Sequence, residues 1–213
     1  IQTVLKCWKN FFKEKENHFF LIKETTQSMN YKILKKIFPK LKIIQIIRDP
    51  RDNYSSLKSG FRKYYKKIGY NNEELLLSAI FRIKNDLKFA QLLQKKNFYL
   101  CLKFEDLVQN PKKEIKKIFR FLNIKENNIQ IKPTISNQNF YGNNFTKKIS
   151  GISKKNVYRW KKRITKIEES FINFYLEEEI KFWKYSLPKK NNFHNVNRIY
   201  NKINSKLFFK GHK

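Results

Sequence analysis

Apolar runs alternate along this chain with stretches whose apolar positions recur three or four residues apart, and the alternation predicts strands and helices in turn. Residues 43–47 hold Ile43, Ile44, Ile46 and Ile47, broken only by Gln45. The run is too short for a helix and too continuous for a half-exposed strand, so a buried parallel strand is expected. Residues 18–23 (HFFLIK) and 98–104 (FYLCLKF) read as two further strands. Helical spacing predicts amphipathic helices over residues 4–15 and 31–38, the second stopping at Pro39, and a long one over residues 73–96. The face of that long helix is Leu76, Ile80, Ile83, Leu87, Ala90 and Leu93. Further helices are expected over residues 52–67, from Pro111 to about Leu122, over 157–164 and over 167–183. Residues 123–150 have the pattern of a long surface loop, with a turn at residues 69–72.

Strand, helix, strand in this order makes the strands parallel and brings their carboxyl ends to one edge. The class is therefore α/β: a parallel sheet flanked by helices. One domain is expected over residues 1–187, followed by a basic, asparagine-rich tail over 188–213. Lys23 and Arg48, each at a strand's end, should be neighbours at the ligand-binding edge of such a sheet. After Ile47 the chain turns through Arg48-Asp49-Pro50-Arg51-Asp52. Asp52 is expected to cap the next helix, whose first turn carries Ser55 and Ser56 and offers free N–H groups to an anion. Arg48 and Ser56, eight residues apart, fit a guanidinium and a hydroxyl gripping one anion from two sides; they fit equally a strand-to-helix turn with solvated arginines.

Charge changes this picture little. The 213 residues carry 48 Lys and Arg against 17 Asp and Glu, a formal +31. The excess is mostly lysine, spread over the whole chain among many Asn, Ile and Phe, as AT-rich coding produces. It predicts non-specific attraction to polyanions, with no localised nucleic-acid surface. Cys7 and Cys101 are too distant for a C-x-x-C site, and His18, His194 and His212 lack zinc-ligand spacing, so no metal is expected. No apolar run of about 18 residues marks a membrane span.

With the elements placed, the chain resembles the sulfotransferases that use 3′-phosphoadenosine 5′-phosphosulfate (PAPS), in particular their bacterial and tyrosylprotein-type branches. Four features carry the resemblance in order. A strand ends in a lysine-bearing corner at Ile22-Lys23-Glu24-Thr25-Thr26; a strand leads into Arg48-Asp49-Pro50-Arg51-Asp52 with Ser56 beyond. A strand then leads to Phe104-Glu105-Asp106-Leu107 with Pro111 and Phe121-Leu122, and a basic, tryptophan-bearing segment runs through Tyr158-Arg159-Trp160-Lys161. The resemblance implies a P-loop-NTPase-like sulfotransferase fold and transfer of a sulfuryl group from PAPS, as co-substrate without a metal, to an acceptor hydroxyl or amine. It implies Lys23 as the electrostatic catalyst, Arg48 and Ser56 as the 3′-phosphate clamp, and Arg159 closing over that phosphate. Arg51 is expected as an ion-pair partner of Asp52 or Glu105.

The family's 5′-phosphosulfate loop, a glycine- and basic-rich turn, precedes all of these motifs. This sequence has no glycine before Gly60, and neither G-x-x-x-x-G-K-[ST] nor G-x-G-x-x-G occurs in it. The chain thus reads as N-terminally incomplete, the later part of a larger enzyme or a degenerate relative. The acceptor, whether glycan, tyrosyl peptide, lipid or small alcohol, is not specified, and a bacterial form is expected in the cytoplasm. The competing reading is a basic protein that binds nucleic acid or other polyanions without catalysis.

Overall fold

A computed structural model of the chain describes residues 21–23, 30–64, 72–126, 134–135, 138–139 and 151–188. The expected helix over residues 4–15, the start of the strand over 18–23, the corner at 24–28, most of the 123–150 loop and the tail beyond Pro188 lie outside these residues.

Helix α1 (Tyr31–Ile37) precedes strand β1 (Ile43–Ile47), which feeds α2 (Pro50–Tyr64) and then α3 (Asn72–Leu93). Strand β2 (Tyr99–Lys103) returns parallel to β1, with Ile43 opposite Tyr99 and Ile47 opposite Lys103. Both strands are therefore as the sequence predicts, joined by a helical crossover. Beyond β2 come α4 (Phe104–Gln109) and α5 (Pro111–Leu122), the latter opened by its proline at the first helical position and closed by Asn123 in the left-handed conformation, φ 62°. A small antiparallel pair, β3 (Thr134–Ile135) and β4 (Gln138–Asn139), lies within the long loop. The described residues 151–188 form two 3-10 turns, Lys154–Asn156 and Arg159–Lys162, and two helices, α6 (Lys166–Tyr175) and α7 (Glu177–Phe182).

The core forms around α3. Leu75, Leu76, Ala79, Ile80, Ile83, Leu87, Ala90 and Leu93 are all buried, including every residue of its predicted apolar face. They pack with Ile47, Tyr54, Tyr99, Phe171, Ile172, Leu176 and Ile180. Each such Leu, Ile or Phe contributes roughly 1.5–3 kcal/mol on burial. Gln45, the one polar residue in β1, is satisfied by donating to the Asp86 carbonyl on α3 at 3.0 Å and accepting from the Tyr99 hydroxyl at 2.7 Å. Tyr31 of α1 stacks on Phe98 at 6.3 Å, fixing α1 against the start of β2.

Four expectations are corrected. Leu21, Ile22 and Lys23 are irregular and exposed rather than the end of a strand, and among the described residues the parallel sheet has two strands. The burial expected for β1 is incomplete: Ile47 is 3% exposed, whereas Ile46, on the opposite face of the strand, is 53% exposed. Residues 157–164 form a 3-10 turn instead of an α-helix, since Tyr158 enters it at φ 59°, outside the helical region. The helix expected over 167–183 breaks at Leu176 into α6 and α7.

Candidate functional site

The parallel register of β1 and β2 sets the site. Beyond the last pair, Ile47 opposite Lys103, come Arg48 and Asp49 on one side and Phe104 and Glu105 on the other. The Arg48 guanidinium lies 4.6 Å from the Phe104 ring centre, and the Asp49 N–H donates to Glu105 Oε1 at 2.9 Å. Glu105 Oε2 accepts from the Tyr185 hydroxyl at 3.1 Å, tying the chain beyond α7 to the same corner. Burial pushes the Glu105 carboxyl above its ordinary pKa, and these hydrogen bonds oppose the shift.

Asp49, not Asp52, caps α2. Its carbonyl accepts the Asn53 N–H at 2.9 Å and its Oδ1 accepts the Arg51 N–H at 2.9 Å. Pro50 then occupies the first helical position, where a missing N–H costs nothing. The Asn53 N–H, in the turn that the sequence reading placed after an Asp52 cap, is taken by the Asp49 carbonyl. Arg51 does form the expected ion pair, but with Asp49 instead of Asp52 or Glu105: Nε to Oδ1 at 2.9 Å and Nη2 to Oδ2 at 2.7 Å, both residues buried. Its guanidinium rests 4.2 Å from the Trp160 ring centre.

Freed from capping, Asp52 reaches a distant segment. Its Oδ2 accepts the Tyr158 N–H at 2.6 Å and its Oδ1 the Trp160 N–H at 2.9 Å. Residues 156–160 are thereby strapped across the β1–α2 turn. Arg48 Nη2 donates to the Asn156 carbonyl at 2.6 Å, and Arg159 Nη1 donates to Asn156 Oδ1 at 2.6 Å. Arg163 Nη1 donates to Ser59 Oγ at 2.8 Å, one turn along α2 from Ser55. Val157 and Tyr158 of the strap also line a cleft of about 370 Å³ together with Gln109, Asn110 and Lys154.

Burial and like charge set the electrostatics of this corner. Burial lowers the Arg48 pKa, against the pull of Asp52, Glu105 and Asp49, and Arg159 lowers it further. Burial raises Asp52, against the N–H groups of Trp160 and Tyr158 and the charge of Arg48. The Arg48–Asp52 pair, 3.9 Å apart, is too long for a hydrogen bond, so neither ion is fully compensated by the other. Arg48 Nε is buried with no acceptor. Burial also lowers Arg163, with Arg159 and Arg48 adding to the effect. Arg48 and Arg163 thus both feel Asp52 and repel each other and Arg159, while Glu105 and Asp49 act on Arg48 as well.

Of the residues singled out from sequence, Arg48 and Arg159 meet at Asn156. Ser56 is exposed on α2, one turn after Asp52, on the helix that follows Arg48. Lys23 is exposed in an irregular segment, and its expected strand is not formed at residues 21–23. Sequence reasoning missed Arg163 and Asn156 and gave Asp52 the wrong task. The basic run 159–163 was a signal for Arg163, while nothing local marks Asn156.

The sequence pattern of the sulfotransferase family matches residues 3–128, more than half of the chain. The chain belongs to the sulfotransferase family. Lys23, Arg48 and Ser56 fall inside the matched region, and the strap with Arg159 falls beyond it. Among curated sulfotransferases, the omega-hydroxy-beta-dihydromenaquinone-9 sulfotransferases of Mycobacterium bovis and Mycobacterium tuberculosis are each 23% identical over 133 residues, 56% of this chain and 34% of theirs. The chain thus spans about a third of the length of these relatives. Among solved structures, the sulfotransferase domain from the curacin biosynthetic pathway superposes with a TM-score of 0.64 at 17% identity, covering 88% of this chain and 69% of that one. The sulfotransferase domain of the Synechococcus PCC 7002 olefin synthase gives 0.63 at 18% identity, covering 87% and 65%. The likeness establishes the α/β sulfotransferase fold, and it reaches beyond the matched pattern to most of the chain.

Proposed function

We propose that this sulfotransferase-family chain binds PAPS through Arg48, Ser56 and Arg159 and takes part in moving its sulfuryl group to an acceptor hydroxyl or amine. The observation that carries the reading is the half-buried Arg48, whose buried Nε lacks an acceptor, beside Arg159 at the carboxyl edge of a parallel strand. Such an edge is where open parallel sheets bind ligands, and a guanidinium with free donors is suited to phosphate oxygens. In this assignment Arg48 and Arg159 hold the 3′-phosphate, and the Ser56 hydroxyl, exposed one turn into α2, completes the grip. Lys23 is assigned to the transferring group, where a cation offsets charge that develops on the sulfuryl and leaving oxygens. The printed name of the mycobacterial relatives describes an omega-hydroxylated dihydromenaquinone acceptor, so a lipid-borne hydroxyl is the first acceptor class to test.

The test is thermal protection by adenosine 3′,5′-bisphosphate. The expected result is a rise in melting temperature that adenosine 5′-monophosphate does not produce and that Arg48→Ala or Ser56→Ala abolishes. Equal protection by both nucleotides, or protection intact in both variants, rejects the assignment. The +31 charge supports the alternative of a general polyanion binder. That alternative predicts a steep salt dependence spread over many lysines and indifferent to either substitution.

A further inference from the structure

The geometry points to Asp52 as the positioning residue of the anion site: without touching the ligand, it sets Arg159 opposite Arg48 by holding the two N–H groups on either side of Arg159. This rests on the phosphate-site reading above. Asp52 is 1% exposed, and its carboxylate oxygens are divided between Tyr158 N and Trp160 N, 106 and 108 residues away. Among the described residues no cation comes within hydrogen-bonding distance of it, the closest ion pair being Arg48 at 3.9 Å. A buried carboxylate near Arg48 and Arg163 but bonded to backbone is placed to fix a loop, whereas an aspartate there for charge alone would close on Arg48.

The strap conforms to this role. Tyr158 takes the left-handed conformation, φ 59°, ψ 23°, uncommon for a bulky side chain, and the N–H groups at 158 and 160 both reach the one carboxylate. Arg159, held between them, turns its guanidinium onto Asn156 Oδ1, while the carbonyl of the same asparagine holds Arg48. Two like charges that repel each other are thus kept side by side by a loop clamped at Asp52. Glu105 and Asp49 also act on Arg48, but their carboxylates hydrogen-bond to Tyr185 and Arg51.

Asp52→Asn retains one acceptor and loses the other, so one N–H is released. The experiment measures adenosine 3′,5′-bisphosphate affinity by calorimetry for the full chain, Asp52→Asn, Arg159→Ala and the double variant. Asp52→Asn is expected to weaken binding about tenfold in the parent and hardly at all once Arg159 is gone. An equal loss in both backgrounds means Asp52 acts on the fold and overturns the proposal. Limited trypsin digestion with mapped cut sites gives a readout independent of ligand: cleavage after Arg159 and Lys161 should rise in Asp52→Asn relative to cleavage within α3. If the parent binds no bisphosphate, the phosphate-site reading fails, and strap cleavage still decides whether Asp52 holds the loop; unchanged cleavage overturns it. A one-glycine insertion after Arg159 leaves α2 intact and separates the two N–H groups. It should reproduce the loss of affinity should Asp52→Asn fail to fold, and parent-like binding by this variant overturns the proposal.

Discussion

Replacing Asp49 by asparagine tests whether the β1–α2 turn is held by charge or only by shape. Asp49 has no exposed surface, Arg51 is 1% exposed, and the two meet through paired contacts of 2.9 and 2.7 Å. Asparagine keeps the capping oxygen for the Arg51 N–H, so the helix start survives. Its amide nitrogen, however, faces Arg51 Nη2 donor to donor, and the guanidinium is left buried without its counter-ion. Breaking one member of a buried pair costs about 3–5 kcal/mol, a large share of the roughly 5–15 kcal/mol that stabilises a typical domain. Arg51→Met in the same chain removes the stranded charge and leaves a flexible apolar side chain against Trp160. The double variant is therefore expected to recover most of the loss. Urea denaturation followed by tryptophan fluorescence measures all four chains. A single-variant cost below about 1 kcal/mol, or a double variant as unstable as the two singles added, refutes the reasoning.

Glu168 provides a pH test. Burial pushes its carboxyl up, but the contacts with Lys58, Tyr54 and Thr165 together outweigh burial and hold it below its ordinary pKa. A depressed carboxylate adds stability above its unfolded pKa that is lost as pH falls through the folded one. Glu168→Gln should thus cost roughly 1–3 kcal/mol at neutral pH, with the gap to the parent closing in acid, as melting curves against pH will record. A gap that stays constant with pH counts against the assignment. Phe171, fully buried and 4.7 Å from the Tyr175 ring, should cost about 3–5 kcal/mol in Phe171→Ala, read from the urea midpoint. Lys23→Ala should lower turnover in a sulfuryl-transfer assay while leaving protection by adenosine 3′,5′-bisphosphate intact; loss of that protection would move Lys23 from the transferring group to the nucleotide.

The parts of the fold legible in sequence were those with a one-dimensional signature. The isoleucine run of β1, the FYLCLK strand and the apolar face of α3 are repeats of period one, two or 3.6, and each formed where expected. The family resemblance was legible for the same reason, because its motifs sit at the ends of those elements. What local pattern could not supply was which of two aspartates three residues apart would cap α2. Pro50 at the first helical position selects Asp49, and that choice releases Asp52 for a partner more than a hundred residues away. The strap was misread as a helix because its basic and aromatic spacing mimics one, whereas Tyr158 is held in a left-handed conformation by a contact that no local window contains. Lys23 depended on a strand pairing that residues 21–23 do not make.

The separation between the turn and its strap has a consequence for synthesis. Domains form from the N-terminal side as the chain emerges from the ribosome, and contacts distant in sequence close late. The turn at residues 48–52 can fold as soon as β2 and Glu105 are available. Its second half, at residues 156–160, leaves the ribosome more than a hundred residues after Asp52, and Tyr185 later still. During that interval Asp52 has no loop to hold and Arg48 has no second guanidinium beside it. A nascent chain that already contains all of residues 3–128 would therefore carry the family's pattern without the strap, and under the proposed phosphate assignment nucleotide would stabilise the protein only once synthesis had passed it.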